Sequence, residues 1–219
     1  MKYDDICIPT YVINLLEHID RRKSIEVTFK DKKEFEVHLV KAVKHPIGAV
    51  GLWKSITGII KEVVQKDEDD VIIICEDDHV FTENYQRNKF LGQVMRNAQL
   101  GTQILFGGIG GFGEAVPIEE GLFWINWNWS TQFMVIYRSA FNKILNARFS
   151  KNDVADEFLS KIIPNKVVIH PFISIQREFG YSDITNGNER EGQVGKYFDE
   201  ADLRLKGYKR IVEKYNIKF

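Results

Sequence analysis

Cysteine is scarce in this chain: Cys7 and Cys75 are the only two among 219 residues. Two thiols, with no CxxC pair and no Cys/His cluster, exclude a disulfide framework and a structural zinc site. Both sit in apolar, strand-like runs and are expected to be small buried hydrophobes in a reducing compartment. Net charge is nearly absent too, at −1, so no global field draws in nucleic acid. No apolar run reaches the roughly 18 residues a membrane-spanning helix requires. A signal-peptide pattern is missing, because Asp4 and Asp5 stand where positive charge belongs and Pro9 interrupts the apolar stretch. No Pro/Gly/Ser linker, internal repeat or low-complexity tract divides the sequence. With 44% hydrophobic and 28% charged residues, the composition fits one globular domain with a proper core. Its expected location is the cytoplasm, either free or peripheral to the inner face of the membrane.

Hydrophobic periodicity predicts strands at 7–16, 35–43, 71–75, 102–106, 122–125, 131–137 and 166–170. Helices are expected from Asp20, over about 50–64, 83–99, 139–145 and 154–163, and from about Asp199 to Tyr215. Strands alternating with helices argue for an α/β fold, a mostly parallel central sheet covered by helices. The expected division is a domain over 1–195 and a C-terminal amphipathic helix, 196–219, packed on or beside it. That last segment holds seven Lys/Arg against four Asp/Glu. With Tyr208, Ile211, Val212 and Tyr215 at near-helical spacing, it suits either packing on the domain or weak association with an anionic membrane surface.

Residues 71–81, VIIICEDDHVF, carry the most chemical information. A β-branched run without alternation reads as a strand buried on both faces. It stops at three consecutive carboxylates, Glu76, Asp77 and Asp78, which repel one another and which strand geometry does not ask for. At the end of a central strand in an open α/β sheet lies the ligand crevice. Clustered carboxylates there suit a hard divalent cation that bridges protein acids to substrate phosphates.

Four further stretches are candidates. Gly108 to Gly113 matches GxGxxG, but no helix and no acid at the right distance follow, so the loop serves close backbone approach, a lid or a tight connection. Residues 123–133, FWINWNWSTQF, would in strand geometry put Trp127 and Trp129 on one face and Asn126 and Asn128 on the other. Rings beside amides suit a sugar. Asp153, Asp156 and Glu157 open a helix, where acids cap the helix or hold a rigid general base. Asp20-Arg21-Arg22 follows the first strand, where basic groups could face a diphosphate.

With these residues in view, the chain resembles glycosyltransferase family 25, the lipooligosaccharide-biosynthesis glycosyltransferases. Tyr11–Leu15 followed by Asp20-Arg21-Arg22 is similar to that family's opening strand and turn. Gly51–Ile56 resembles its Trp-bearing helix, Ile74–Phe81 its acidic metal motif, and Ser174–Gln176 with Tyr181–Ile184 its closing segment. The resemblance implies a GT-A-like, nucleotide-sugar-binding fold and a metal-dependent inverting transfer. A hexose would pass from a nucleotide diphosphate sugar to a surface-glycan or lipid-linked acceptor. It implies a divalent metal, manganese by expectation, on Glu76, Asp77 and Asp78, with Asp78 the first choice for a direct ligand. Asn14, Arg21 and Arg22 would hold the donor. Asp156 would be the base, with Asp153, Glu157 and Asp183 as other candidates. Asn126, Trp127, Asn128 and Trp129 would wall the sugar. Two rivals stand beside it. One is an inactive nucleotide-sugar or glycan binder on the same fold, favoured by Gly48-Ala49 where the family carries Ser-His. The other is a metal-dependent phosphotransferase or hydrolase.

Overall fold

The computed structural model describes residues 3–180 and 192–215. In chain order these form β1 (Ile8–Asn14), α1 (Ile19–Thr28), β2 (Phe35–Lys41), α2 (Gly48–Lys66), β3 (Val71–Glu76), β4 (His79–Phe81), α3 (Arg87–Gln99) and β5 (Ile104–Phe106). Then follow β6 (Ala115–Glu119), β7 (Leu122–Ile125), β8 (Phe133–Tyr137), α4 (Arg138–Leu145), α5 (Ala155–Ile162), β9 (Lys166–Ile169), β10 (Ser174–Gln176) and α6 (Gln193–Lys214).

Eight strands join in the order β2-β1-β3-β8-β5-β9-β7-β6, while β4 and β10 make a separate antiparallel ribbon. β1 pairs in parallel with β2 and β3, and β5 with β9, whereas β8 and β7 run against their neighbours. Six strands therefore share one direction, and the expected mostly parallel α/β sheet is present with two opposed strands inside it.

β3 shows why an unbroken apolar run was needed. Ile72 and Ile74 belong to one core and Ile73 and Cys75 to the other, and all four are fully buried. Alternate side chains point to opposite faces of a sheet, so a strand covered on both sides must be apolar at every position. The first core lies under α2, α4, α5 and α6, with Trp53, Ile60, Phe141, Leu159 and Phe198 in it. The second lies under α1 and α3, with Ile25, Phe90, Leu91 and Val94. Truncating any of these large buried side chains to alanine should cost about 2–5 kcal/mol.

α6 begins at Gln193, ahead of the expected start at Asp199, and inserts Val194, Phe198, Ala201 and Leu205 into the first core. Their i, i+4, i+7, i+11 spacing is one helical stripe. No helix among the described residues is long and apolar enough to cross a membrane. One expectation fails: Cys75 is buried but Cys7 is exposed, because the strand begins only at Ile8 and Cys7 precedes the covered part of the sheet. The short strands β4, β6 and β10 are additions to the predicted set.

Candidate active site

The carboxyl ends of β1 and β3 open into a cavity of about 850 Å³. Glu76, Asp77, Asp78, Arg21, Asp156, Glu157 and Trp129 all line it. Residues from four separate parts of the chain thus converge where an open α/β sheet places its ligands.

The three consecutive acids take three different environments. Asp77 is a hub: Asn14 Nδ2 donates to its Oδ2 at 2.8 Å, Arg21 Nη1 to its Oδ1 at 3.0 Å, and His18 Nδ1 lies 3.4 Å from Oδ2. All four side chains are buried. Asp77 therefore ties the end of β1 and the start of α1 to β3. Its oxygens face protein donors, which sets it apart from Glu76 and Asp78, the other two expected cation ligands.

Asp78 is less satisfied. Gln176 Nε2 donates to Oδ2 at 2.8 Å and Arg21 Nη1 lies 3.5 Å from the same oxygen. Asp78 Oδ1 is buried with no hydrogen-bond partner. Burial raises the Asp78 pKa, the Arg21 charge opposes the rise, and Asp77 adds to it. Glu76 receives a hydrogen bond from Thr131 Oγ1 at 2.6 Å. Its pKa is also raised, first by burial and then by the Asp78 charge. A buried carboxylate oxygen without a donor is expensive unless a cation meets it. Asp78 Oδ1 and the Glu76 carboxylate are the groups whose chemistry would suit a divalent cation here. Among the described residues no three His, Cys, Asp or Glu side chains form a complete ligand set. The remaining ligands of such a cation would have to come from substrate oxygens and water.

Of the expected donor-binding residues, Arg21 lines the cavity; Asn14 does not, which corrects its place, because its buried amide donates to Asp77 and to the His18 carbonyl. Arg22 does not line it either: it is exposed and pairs with Glu26 one turn along α1. Successive helical residues point about 100° apart, so two adjacent arginines cannot both face the crevice.

The aromatic turn also departs from expectation. Strand geometry ends at Ile125, and residues 126–132 run as a loop held by a single bridge between Gly111 and Trp129. A backbone without ladder partners needs other ones. Asn126 Oδ1 accepts the Glu114 N–H at 2.8 Å. Asn128, fully buried, donates to Ser130 O at 3.1 Å and accepts from Ser160 Oγ at 3.0 Å. Both amides serve the loop and neither lines the cavity, which corrects their place in a sugar wall. Trp129 does line it, 42% exposed, with the Trp127 ring 5.2 Å behind it. Trp53, by contrast, is a core ring stacked on Phe149.

Asp156 sits in the first turn of α5 and faces the cavity. Its Oδ1 accepts the Glu157 N–H at 2.8 Å and its Oδ2 accepts the Ser130 N–H at 3.1 Å. Ser130 holds φ at +80°, a left-handed conformation uncommon for a non-glycine residue. This turn and the helix start are therefore one locked unit. Burial raises the Asp156 pKa, and the two N–H donors hold the rise in check. Glu157 is exposed on the same rim, while Asp153 folds back to accept the Ser150 N–H at 2.7 Å and does not line the cavity. Asp183 lies outside the described residues.

The glycine-rich loop is a packed connection. A Cβ on Gly108 would lie 2.0 Å from Ser174 O, so only glycine fits, and Gly107 O accepts the N–H groups of Ile173 and Ser174. Only Gly110 of this loop reaches the cavity. Gln176, Thr131, Lys44 and Tyr197 also line it and had not been singled out. Gln176 lay in the closing segment of the resemblance, which was the one signal pointing to it. The other three are set by tertiary packing.

The chain matches no protein-family model and no curated protein. Among solved structures, A197 from STIV superposes with a TM-score of 0.55 at 14% identity, over 79% of this chain and 86% of that one. A glycosyltransferase involved in the glycosylation of the major capsid of PBCV-1 matches at TM-score 0.47 and 12% identity, over 75% and 82%. UDP-glucose pyrophosphorylase complexed with UDP-glucose matches at 0.49 and 11%, over 92% and 82%. The likeness to A197 supports the α/β fold.

Proposed function

We propose that this protein is a glycosyltransferase that moves a hexose from a nucleotide diphosphate sugar to an acceptor hydroxyl with inversion. The observation that carries the proposal is the unpartnered oxygen of Asp78, buried at the end of β3 in a cavity that also holds Arg21 and Asp156. The resemblance to glycosyltransferase family 25 favours the same chemistry.

Asp78, with Glu76 beside it, would hold a divalent cation, manganese by preference. When bound, that cation offsets the charge that builds on the departing diphosphate. Arg21, fixed by Asp77, supplies a positive wall for the same phosphates. Asp156 accepts the proton of the acceptor hydroxyl as its oxygen bonds to the anomeric carbon and the bond to the diphosphate breaks. Two N–H donors hold that carboxylate in place, so little reorganisation is needed as the proton arrives.

The acceptor would be a glycan or a lipid-linked sugar. For the latter, the outer face of α6 offers Leu203, Ile211 and Tyr215, all exposed, beside Lys206, Arg210 and Lys214. That mixture suits weak contact with an anionic membrane surface. Sedimentation with anionic vesicles at low and high salt tests this, and no binding at low salt would remove it. A second function, nucleotide-sugar binding without turnover, is favoured by Gly48 in the cavity lining. That is where the resembling family usually carries a Ser-His pair.

A melting panel decides among these. Uridine, guanosine and cytidine diphosphates and their hexose conjugates are each added with manganese and with chelator. One nucleotide should raise the melting temperature only with manganese, since a ligand specific to the folded state stabilises it by mass action. Release of free nucleotide on adding sugar acceptors then separates transferase from binder. No shift with any nucleotide would end the proposal.

A further inference from the structure

We infer that Trp129 and Tyr197 form a two-ring platform for the acceptor, and that the acceptor unit it holds is a pyranose sugar. The inference rests on the glycosyl transfer proposed above and extends it to the acceptor side of the same cavity.

Tyr197 comes from the first turns of α6, far from the aromatic turn in sequence, yet its ring lies 5.5 Å from that of Trp129 at an interplanar angle of 57°. Both line the cavity. Trp129 is 42% exposed although its backbone is fixed on both sides: its N–H donates to Gly111 O at 2.9 Å and its carbonyl accepts from Gly110 at 3.1 Å. A large ring left open by a rigid backbone, in a concave site, is an expected ligand contact. The Trp127 ring packs against it at 5.2 Å.

Arg21 and Lys44 line the cavity near the ends of β1 and β2, where they pair with Asp77 and Glu17 and stand beside Glu76 and Asp78; phosphates there would share the proposed cation. Asp156 and Glu157 also line it, and Asp156 bonds the residue that follows Trp129. Carboxylates accept hydrogen bonds from hydroxyls. Ring faces carry negative potential and attract the C–H face of a sugar. A ligand with one C–H face and many hydroxyls satisfies both at once. The Ser130 N–H that follows Trp129 bonds to Asp156. The platform and the acid that would take the acceptor proton are therefore held in fixed relation, as transfer to a seated sugar requires.

The test is titration of the full chain, saturated with manganese and the nucleotide found in the melting panel, with lactose, maltose and diacetylchitobiose, followed by tryptophan fluorescence. At least one sugar should give a saturable change. Tyr197→Ala should weaken it by about tenfold, the scale of one aromatic contact. Tyr197→Phe, which keeps the ring, should bind as wild type, and Trp129→Ala should lose most of the affinity. Nucleotide-induced stabilisation should be the same in Tyr197→Ala as in wild type. If no sugar binds, or if Tyr197→Ala binds sugars normally, the platform is refuted and the transfer reaction stands or falls by itself. If Tyr197→Ala loses the nucleotide instead, the rings hold the base and the inference is wrong. Should the wild type bind no nucleotide while sugar binding still follows the rings, the platform holds and the proposed reaction fails.

Discussion

The acidic end of β3 and the turn between β7 and β8 meet across the same cavity, and both are dense in polar side chains. Each leaves one buried oxygen open, but of a different kind. In the turn, Asn126 and Asn128 are matched with backbone and hydroxyl partners, and the open atom is the neutral Gln132 Oε1. At the end of β3, Asp77 is matched with protein donors but Asp78 keeps a buried oxygen without one. Polar density alone therefore does not mark a reactive group. What marks it is an open hydrogen-bonding capacity on a carboxylate of the cavity lining, because leaving a charged group open is costly unless a ligand completes it.

The largest expected effect lies at the helix start that the turn holds in place. Asp156→Asn should lower kcat by roughly 10²–10⁴-fold, the scale of general base catalysis, with donor affinity little changed. Asp153→Asn, whose carboxylate folds away from the cavity, should be mild in the same steady-state assay. Near-normal turnover of Asp156→Asn with loss in Glu157→Gln would move the role along the rim.

Stability then separates the neighbours within β3. Asp77→Ala leaves the buried Arg21 without its nearest carboxylate and should cost about 3–5 kcal/mol in denaturant unfolding. Asp78→Asn should be neutral or stabilising at pH 7, because its charged form is the disfavoured one in the fold. The sign follows from its raised pKa. The penalty is full above the raised folded value and fades as pH falls towards the ordinary carboxylate value. The gap between variant and wild type should therefore shrink between neutral pH and about pH 4. A gap that widens on acidification would contradict the assignment.

The turn should respond more modestly. Asn128→Ala strands the Ser130 carbonyl and the Ser160 hydroxyl and should cost about 1–3 kcal/mol. His79 offers a smaller contrast still, read as a pH slope. It is buried against Phe29, Phe81 and Phe133, bonds Ser174 Oγ at 2.8 Å, and burial lowers its pKa to about 3. Its contribution is complete above the unfolded value near 6.5 and is lost as pH falls from there towards the folded value. Unfolding free energies measured from pH 7 down to 4 should show that loss diminished in His79→Gln.

The same contrast explains what could be read in the sequence. β3 was legible to within one residue, and α2 was legible in its pattern, because burial on two faces or one stripe dictates residue type at every position. The acids after β3 were legible as a site because nothing local accounts for them. How they divide was not, since it depends on Asn14, His18 and Gln176, distant in the chain. The turn misled because alternation holds only while the strand lasts, and this one stops at Ile125. β4 and β10, of three residues each, exist by pairing with one another across the 92 residues between Phe81 and Ser174, a partnership without local signal. Tyr197 is hidden for a related reason: it precedes the helix start expected at Asp199, whereas the helix begins at Gln193 and carries it to the cavity.

The most direct measurement is calorimetric titration of the nucleotide diphosphate chosen by the melting panel into wild type with manganese, wild type with chelator, and Asp78→Asn with manganese. The account predicts clear binding in the first, and affinity at least tenfold weaker in the second and third, with melting temperatures showing all proteins folded. Equal affinity with chelator present, or full affinity in Asp78→Asn, would contradict the claim that the open oxygen of Asp78 is where cation and substrate meet.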